Sequence, residues 1–178
     1  MARVFCVANQ KGGVGKTTTT VNLAAGLALA GQRVLLVDLD PQGNATMGSG
    51  IDKRALALSV YDVLLESSTI AEARQRTDKG GYDVLGANRE LAGAEIELVS
   101  VERRSERLRG ALVAVQGDYD FVLIDCPPSL SLLTLNGLCS ADGVIVPMQC
   151  EYFALEGLTD LVNTIRQVHA NLNPQLQI

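Results

Sequence analysis

Tryptophan is absent from this sequence, and Phe and Tyr together account for 4% of its 178 residues. The core must therefore be built from Val, Leu, Ile and Ala, which supply most of the 47% hydrophobic content. Long apolar runs are missing too. No stretch approaches the ~20 apolar residues of a transmembrane helix, and the N-terminal segment MARVFCVANQ lacks the apolar stretch of a signal peptide. These absences predict one soluble, cytoplasmic domain over residues 1–178.

Metal-ligating side chains are also scarce. The chain has one His, and its four cysteines, Cys6, Cys126, Cys139 and Cys150, include no C-x-x-C pair. We therefore expect neither a zinc site nor a disulfide framework, and a reducing compartment fits the composition best. Cys126 stands beside Asp125 but has no basic neighbour in the sequence, so we expect a small buried thiol there.

Positive charge is in deficit, since the net charge is −5 and the pI is near 4.9. This argues against a domain coated in basic charge for nucleic acid. One local cluster interleaves arginines with glutamates: Glu102, Arg103, Arg104, Glu106, Arg107 and Arg109. The alternation predicts a solvated helix face, and the same cluster is the first candidate if any segment contacts DNA phosphates.

Short apolar runs without polar alternation indicate buried strands over Arg3–Ala8, Val34–Val37 and Phe121–Ile124. An Ala- and Leu-rich segment, Thr18–Ala30, predicts a helix that ends at Gly31. Weaker patterns predict helices over Val60–Glu66, Ile70–Gln75, Glu90–Val99, Glu102–Val115 and Ala154–Asn171, another helix from about Ser131, and strands at Tyr82–Leu85 and Val144–Val146. This alternation predicts an α/β fold with a doubly wound, mainly parallel sheet and helices on both faces.

The C-terminal segment Asn173–Ile178 has the pattern of a turn that leads into another apolar strand. Because the sequence stops there, we expect the chain to be a truncated product or a fragment of a longer protein.

A glycine-rich loop, Gln10 to Thr18 (QKGGVGKTT), lies between the first predicted strand and the first predicted helix. Gly12, Gly13 and Gly15 allow the backbone N–H groups to turn inward around phosphate oxygens, and the helix adds the positive end of its dipole. Lys16 supplies a charge to the β- and γ-phosphates, and the hydroxyl of the following Thr17 suits Mg²⁺. The strict P-loop pattern requires Gly where this chain has Gln10, so an ordinary glycine turn is the alternative.

Carboxylates follow two of the predicted strands. Asp125 ends the strand Phe121–Ile124, where a P-loop enzyme needs a carboxylate for the magnesium shell. Asp38 and Asp40 end the second strand, and Asp40 stands in a loop that can face a γ-phosphate. Asp38 is a further candidate for the magnesium shell through a water, although a cap or turn role explains it equally well. The sequence therefore predicts an ATP and Mg²⁺ site at this edge of the sheet.

Several segments together resemble the ParA/Soj family of chromosome and plasmid partition ATPases. KGGVGKT resembles the deviant Walker A motif, with its second lysine ahead of the glycines, and the pair Asn9-Gln10 favours this family over MinD and the nitrogenase iron protein. The other similar segments are Asp38–Asn44 (DLDPQGN), Leu91–Glu95 (LAGAE), Phe121–Ser129 (FVLIDCPPS) and Pro147–Gly157 (PMQCEYFALEG).

The resemblance implies roles for individual residues. Lys11 would reach across a dimer interface to the partner's ATP, Lys16 would act on the bound phosphates, and Asp40 would position the attacking water. Thr17 would ligate magnesium directly and Asp125 would hold it through water. The nucleotide-binding residues implied are Lys11, Gly12, Gly13, Val14, Gly15, Lys16, Thr17 and Thr18.

The resemblance also implies partners. Two ATP molecules would be sandwiched between two subunits, the ATP dimer would bind non-specific DNA on the nucleoid, and a ParB-type protein would stimulate hydrolysis. The C-terminal third of such proteins, which carries DNA-binding residues, is missing from this sequence. A MinD-like regulator at the membrane is the alternative, but it needs an amphipathic C-terminal helix, which this chain does not show. A binding module with an inactive P-loop ranks last, because Lys16, Thr17, Asp40 and Asp125 are all present.

Overall fold

The computed structural model describes residues 1–149 and 154–178. In this part of the chain, six strands form one sheet in the order β3-β4-β2-β5-β1-β6. Strand β3 is antiparallel to β4, and every other neighbouring pair is parallel. The strands are β1 Arg3–Val7, β2 Val34–Asp38, β3 Gln75–Arg76, β4 Asp83–Leu85, β5 Phe121–Asp125 and β6 Gly143–Ile145.

The helices connect these strands and cover the sheet. They are α1 Lys16–Leu29, α2 Asn44–Gly48, α3 Val60–Leu64, α4 Ile70–Ala73, α5 Leu91–Glu97, a 3₁₀ turn at Leu98–Ser100, α6 Arg107–Val113, α7 Leu132–Ser140 and α8 Ala154–Asn171. Cys150 and part of the family-like segment Pro147–Gly157 lie outside the described residues. No helix within the described ranges is both long and apolar enough to cross a bilayer.

Strand β2 shows why its sequence does not alternate between apolar and polar residues. Val34 and Leu36 pack on one face with Ala24 of α1 and Ala45 of α2. Leu35 and Val37 face the opposite way, into the larger core formed with α3, α5, α6, α7 and α8. Each of these four β2 side chains is fully buried, which stabilises the fold by about 2 kcal/mol per side chain relative to exposure. The doubly wound, mainly parallel sheet with helices on both faces is thereby confirmed.

Helices α3 and α4 form where they were predicted, but each is shorter. Both begin with a capping box, Ser59 with Asp62 in α3 and Thr69 with Glu72 in α4. Helix α3 ends because Glu66 adopts a left-handed conformation at φ 60°, and the Asp62 carbonyl accepts the following Ser67 N–H at 2.9 Å. Periodicity does not reveal such a stop, because a non-glycine residue makes it.

The predicted helix over Glu102–Val115 is wrong in its first part, since α6 begins only at Arg107. Arg103 is left-handed at φ 53°, and its carbonyl accepts the Glu106 N–H at 2.8 Å to close a turn. The Arg104 guanidinium donates to the Val99 carbonyl at 2.6 Å, on the preceding 3₁₀ turn. A backbone turn and a contact between side chain and backbone therefore replace the first helical turns that the charge pattern predicted.

The end of the chain runs along β6, next to the edge of the sheet. Gln177 N–H donates to the Asp142 carbonyl at 3.0 Å, and Val144 N–H donates to the Gln177 carbonyl at 2.8 Å. These bonds form a parallel bridge between Gly143 and Gln177. The predicted turn after Asn173 is present, since the Leu176 N–H donates to the Asn173 carbonyl at 3.1 Å, and it leads into backbone that bridges to β6.

Candidate functional site

The candidate site lies where the carboxyl ends of the three central strands meet. In the parallel register, Asp125 of β5 stands opposite Val7 of β1 on one side and opposite Asp38 of β2 on the other. The chain leaves β1 just beyond Val7 and forms the glycine-rich loop that precedes α1. The fold therefore brings the predicted acidic residues and the predicted phosphate loop together, at the edge where parallel sheets bind ligands.

The glycine-rich loop depends on left-handed backbone at two positions. Gly13 has φ 74° and Gly15, the residue before α1, has φ 90°. A Cβ at either position would meet nothing within 4 Å, so conformation rather than space requires glycine. Asn9 ties down the start of the loop. Its Oδ1 accepts the Lys11 N–H at 3.0 Å and its Nδ2 donates to the Pro147 carbonyl at 2.8 Å.

Lys16 lies beneath the loop with only 8% of its surface exposed. Its Nζ donates to the Lys11 carbonyl at 3.0 Å, which holds the side chain folded back along the loop. Burial lowers the pKa of Lys16, while the nearby carboxylates of Asp125 and Asp40 oppose that shift. A desolvated ammonium held in this position is prepared to bind an anion, because phosphate oxygens would replace the missing water.

Asp125 is fully buried and accepts hydrogen bonds from two hydroxyls of α1. Thr17 Oγ1 donates to Asp125 Oδ2 at 2.7 Å, and Thr20 Oγ1 lies 3.1 Å from Asp125 Oδ1 and 2.9 Å from the Lys16 carbonyl. Burial raises the pKa of Asp125 to about 6, against these hydrogen bonds. Thr20 was not among the predicted site residues. Its spacing of three from Thr17, which places both on one face of α1, was the available signal.

Asp38 is fully buried beside Asp125, and its two oxygens hold the chain that follows β2. Oδ2 accepts from Thr46 N at 2.9 Å and from Thr46 Oγ1 at 2.7 Å, and Oδ1 accepts from Asp40 N at 3.1 Å. Burial, followed by the charge of Asp125, raises the pKa of Asp38 to about 7. The turn role considered for Asp38 is therefore present, and its role in the magnesium shell stays a prediction.

A cavity of about 570 Å³ opens above the loop. Asp40 lies in its wall, partly exposed, with Oδ1 accepting the Gln42 N–H at 2.9 Å. Val14 is buried, and Lys11 is partly exposed. The residues that line the cavity are Gly12, Gly13, Gly15, Lys16, Thr17, Thr18, Asp40, Gln42, Asn44 and Pro128. Most of the predicted site residues therefore share one cavity, and Asp38 and Asp125 lie buried at the strand ends next to it.

Two other predictions concern residues outside this cavity. Cys126 is a buried free thiol whose pKa is raised by its hydrogen bond with Cys6 and by burial, which confirms the expected small buried residue. Arg103 and Arg109 are exposed, as a solvated surface requires, whereas Arg107 is largely buried and pairs with Glu66. The DNA role considered for this arginine cluster stays a prediction.

The site combines a strand, a left-handed glycine loop and a helix that begins with a buried lysine and a threonine. A carboxylate at the end of a neighbouring strand lies next to them. These features define a P-loop nucleoside triphosphatase. Comparison with known proteins gives the family. The family described as AAA domain matches residues 2–178. The chain is 53% identical over 178 residues to the sporulation initiation inhibitor protein Soj of Bacillus subtilis, a match that covers 100% of this chain and 70% of Soj.

The chain is also 53% identical to the chromosome partitioning protein ParA of Caulobacter vibrioides, covering 99% of this chain and 67% of that protein. A solved structure of cobyrinic acid a,c-diamide synthase from Mycobacterium smegmatis with bound ADP and magnesium is 50% identical, with a TM-score of 0.96. That match covers 99% of this chain and 72% of the solved chain. The chain belongs to the ParA/Soj family of partition ATPases.

Proposed function

We propose that this protein binds ATP with Mg²⁺ and hydrolyses it as a dimeric switch that partitions DNA, chromosomal or plasmid. The observation that carries the proposal is the contact between Thr17 and Asp125 at 2.7 Å beneath a loop that also holds the buried Lys16. Soj and ParA, at 53% identity, support the assignment to partition. The Mycobacterium smegmatis structure carries the name of a different activity, but its bound ADP and magnesium support the ligands proposed here.

The polar groups at the start of α1 and at the strand ends fit a magnesium ion. Thr17 Oγ1 and Asp125 Oδ2 are oxygen atoms 2.7 Å apart at the foot of the cavity, and oxygen ligands are those that Mg²⁺ prefers. Thr17 would ligate the ion directly, Asp125 would hold it through water, and Asp38 is a further candidate through water. When bound, magnesium neutralises charge that develops on the phosphates.

Residues of the loop bind and orient the nucleotide. The backbone N–H groups from Gly12 to Thr18 surround the phosphates, and the Lys16 ammonium exchanges the Lys11 carbonyl for phosphate oxygens. Asp40, in the cavity wall, positions the water that attacks the γ-phosphate. Lys11 acts on the nucleotide of the second subunit, where its charge stabilises the transferred phosphoryl group.

The proposed assembly is a single ATPase domain over residues 1–178 that pairs with a second copy around two nucleotides. The ATP dimer binds DNA without sequence preference on the nucleoid, and a ParB-type protein stimulates hydrolysis and release. The protein acts in the cytoplasm, and membrane binding forms no part of the proposal.

The proposal is tested by light scattering on the intact protein carrying Asp40→Ala, with and without MgATP. Loss of the hydrolytic carboxylate should trap the ATP state, so the mass should double on addition of MgATP. The double variant Asp40→Ala/Lys16→Ala is the matched control and should stay monomeric, because it lacks the Lys16 charge that binds the phosphates. A monomer that has MgATP bound would contradict the sandwich dimer, and failure to bind ATP would contradict the whole proposal.

A further inference from the structure

A buried hydroxyl on α2 connects two parts of the structure behind the cavity. Thr46 is 0% exposed. Its Oγ1 donates to Asp38 Oδ2 at 2.7 Å and accepts the Ala87 N–H at 2.9 Å. The first bond reaches the end of β2, and the second reaches the loop that follows β4. One hydroxyl therefore satisfies a buried carboxylate and a buried backbone N–H at the same time.

The same carboxylate holds Asp40. Asp38 Oδ1 accepts the Asp40 N–H at 3.1 Å, while Oδ2 accepts both donors of Thr46. The orientation of the Asp38 carboxylate is thus set from one side by Thr46 and transmitted on the other side to the backbone of Asp40. If the Thr46 hydroxyl is lost, Oδ2 keeps only the Thr46 N–H as a donor, so the carboxylate and the Asp40 N–H that it accepts are held less firmly.

Close packing at Gly43 leaves this loop little space to adjust. Gly43 has φ 61°, and a Cβ there would lie 2.5 Å from the Ala87 carbonyl oxygen. Its N–H donates to the Asp40 carbonyl at 2.8 Å, which closes a turn over Asp40–Gly43. The turn that carries Asp40 is therefore packed against Ala87, the residue whose N–H the Thr46 hydroxyl accepts.

We propose that Thr46 is a positioning residue for Asp40: through Asp38 and Ala87 it fixes the turn that places the Asp40 carboxylate in the wall of the phosphate cavity. The inference rests on the proposed function, in which Asp40 orients the attacking water. Because Thr46 is fully buried, it acts through its hydrogen bonds and not by contact with the substrate. Reaction geometry is sensitive to displacements of about 1 Å, so a loosened turn should slow hydrolysis more than it weakens binding.

The test compares Thr46→Val, which keeps the shape and removes the hydroxyl, with Thr46→Ser, which keeps the hydroxyl. We expect Thr46→Val to lower kcat for ATP by about tenfold or more, with Kd for a fluorescent ATP analogue within about threefold of the wild type. Thr46→Ser should recover most of the turnover. Equal loss in both variants, or a loss confined to Kd, would overturn the positioning role.

A matched substitution separates this effect from a general loss of stability. Thr77→Val removes another buried hydroxyl, which bonds the Tyr82 carbonyl at 2.9 Å beyond the opposite end of β4. It should lower the urea midpoint without lowering kcat, and an equal fall in kcat would refute a specific role for Thr46. Wild-type protein and Asp40→Ala are assayed in parallel. If Asp40→Ala turns over ATP like the wild type, the proposed function fails; if only Thr46→Val does, the positioning role alone fails.

Discussion

The two ends of strands β2 and β5 place aspartates in opposite environments. At the amino ends, Asp120 is partly exposed and pairs with Arg33, whose guanidinium reaches Oδ1 at 2.8 Å and whose backbone N–H reaches Oδ2 at 2.9 Å. Those hydrogen bonds lower the pKa of Asp120 to about 2. At the carboxyl ends, Asp38 and Asp125 are fully buried side by side, and burial raises their pKa values to about 7 and about 6.

The contrast separates an end of the sheet where charges are paired from an end where acidic groups are buried together. The Arg33–Asp120 pair satisfies its own charges at the surface. Asp38 and Asp125 instead lie together in the interior, next to the desolvated Lys16. Without a ligand, burial disfavours the ionised forms of both carboxyl groups and of the lysine. Such unfavourable charge is expected at functional sites, where a bound cation or phosphate offsets it.

The largest expected effect comes from removing the Lys16 ammonium at the carboxyl end of the sheet. Lys16→Ala should weaken MgATP binding by about 100-fold, because a charge-assisted hydrogen bond to phosphate contributes about 1.5–3 kcal/mol and the buried site offers little water in exchange. Equilibrium titration with a fluorescent ATP analogue measures it. Lys79→Ala removes an exposed lysine that does not line the cavity. It is the control and should bind like the wild type. Unchanged affinity in Lys16→Ala would break the assignment of this end to phosphate.

An intermediate effect is expected on the pH dependence of stability. The folded pKa of Asp125 is raised above the value of an unfolded Asp, so the folded state binds more protons between about pH 4 and 6 and stability falls as pH rises through that window. Asp125→Asn removes this dependence. Without nucleotide or magnesium, the free energy of unfolding of the variant should rise by about 2 kcal/mol relative to that of the wild type as the pH is raised from 4 to 8. Urea unfolding at each pH measures it. A difference that does not change with pH would contradict the raised pKa.

The smallest effect is expected at the amino ends, with the opposite sign. The folded pKa of Asp120 is lowered, so the stabilisation from its pair with Arg33 is present above about pH 4 and is lost as pH falls towards 2. Asp120→Asn should lower the thermal midpoint slightly at pH 7, and the difference should shrink in 1 M salt because the pair is exposed. An effect as large as that of Asp125→Asn would remove the distinction between the two ends.

The local parts of the site could be predicted from the sequence. The strand, glycine loop and helix around Lys16 follow from neighbouring residues, and Asp125 follows directly from its apolar strand. Thr46 could not be found in this way. Its partners Asp38 and Ala87 are separated from it by 8 and 41 positions, so that only the pairing of β2 with β4 brings them together.

The start of α6 shows a different limit of sequence reasoning. The interleaved charges from Glu102 onwards suit a helix, but Arg103 adopts a left-handed backbone and Arg104 bonds the Val99 carbonyl. Propensity and charge spacing favour the helix by only a few tenths of a kcal/mol per pair, so a small number of local contacts can override them.

The sequence by itself determined the parallel α/β sheet, the phosphate loop and the family, because these depend on runs of neighbouring residues and on short motifs. The tertiary structure decided the protonation tendencies of Asp38 and Asp125 and the hydrogen-bond connection from Thr46 to Asp40. The physical reason is that burial and strand register depend on residues far apart in the chain. Identical aspartates therefore acquire opposite pKa shifts at the two ends of the same strands.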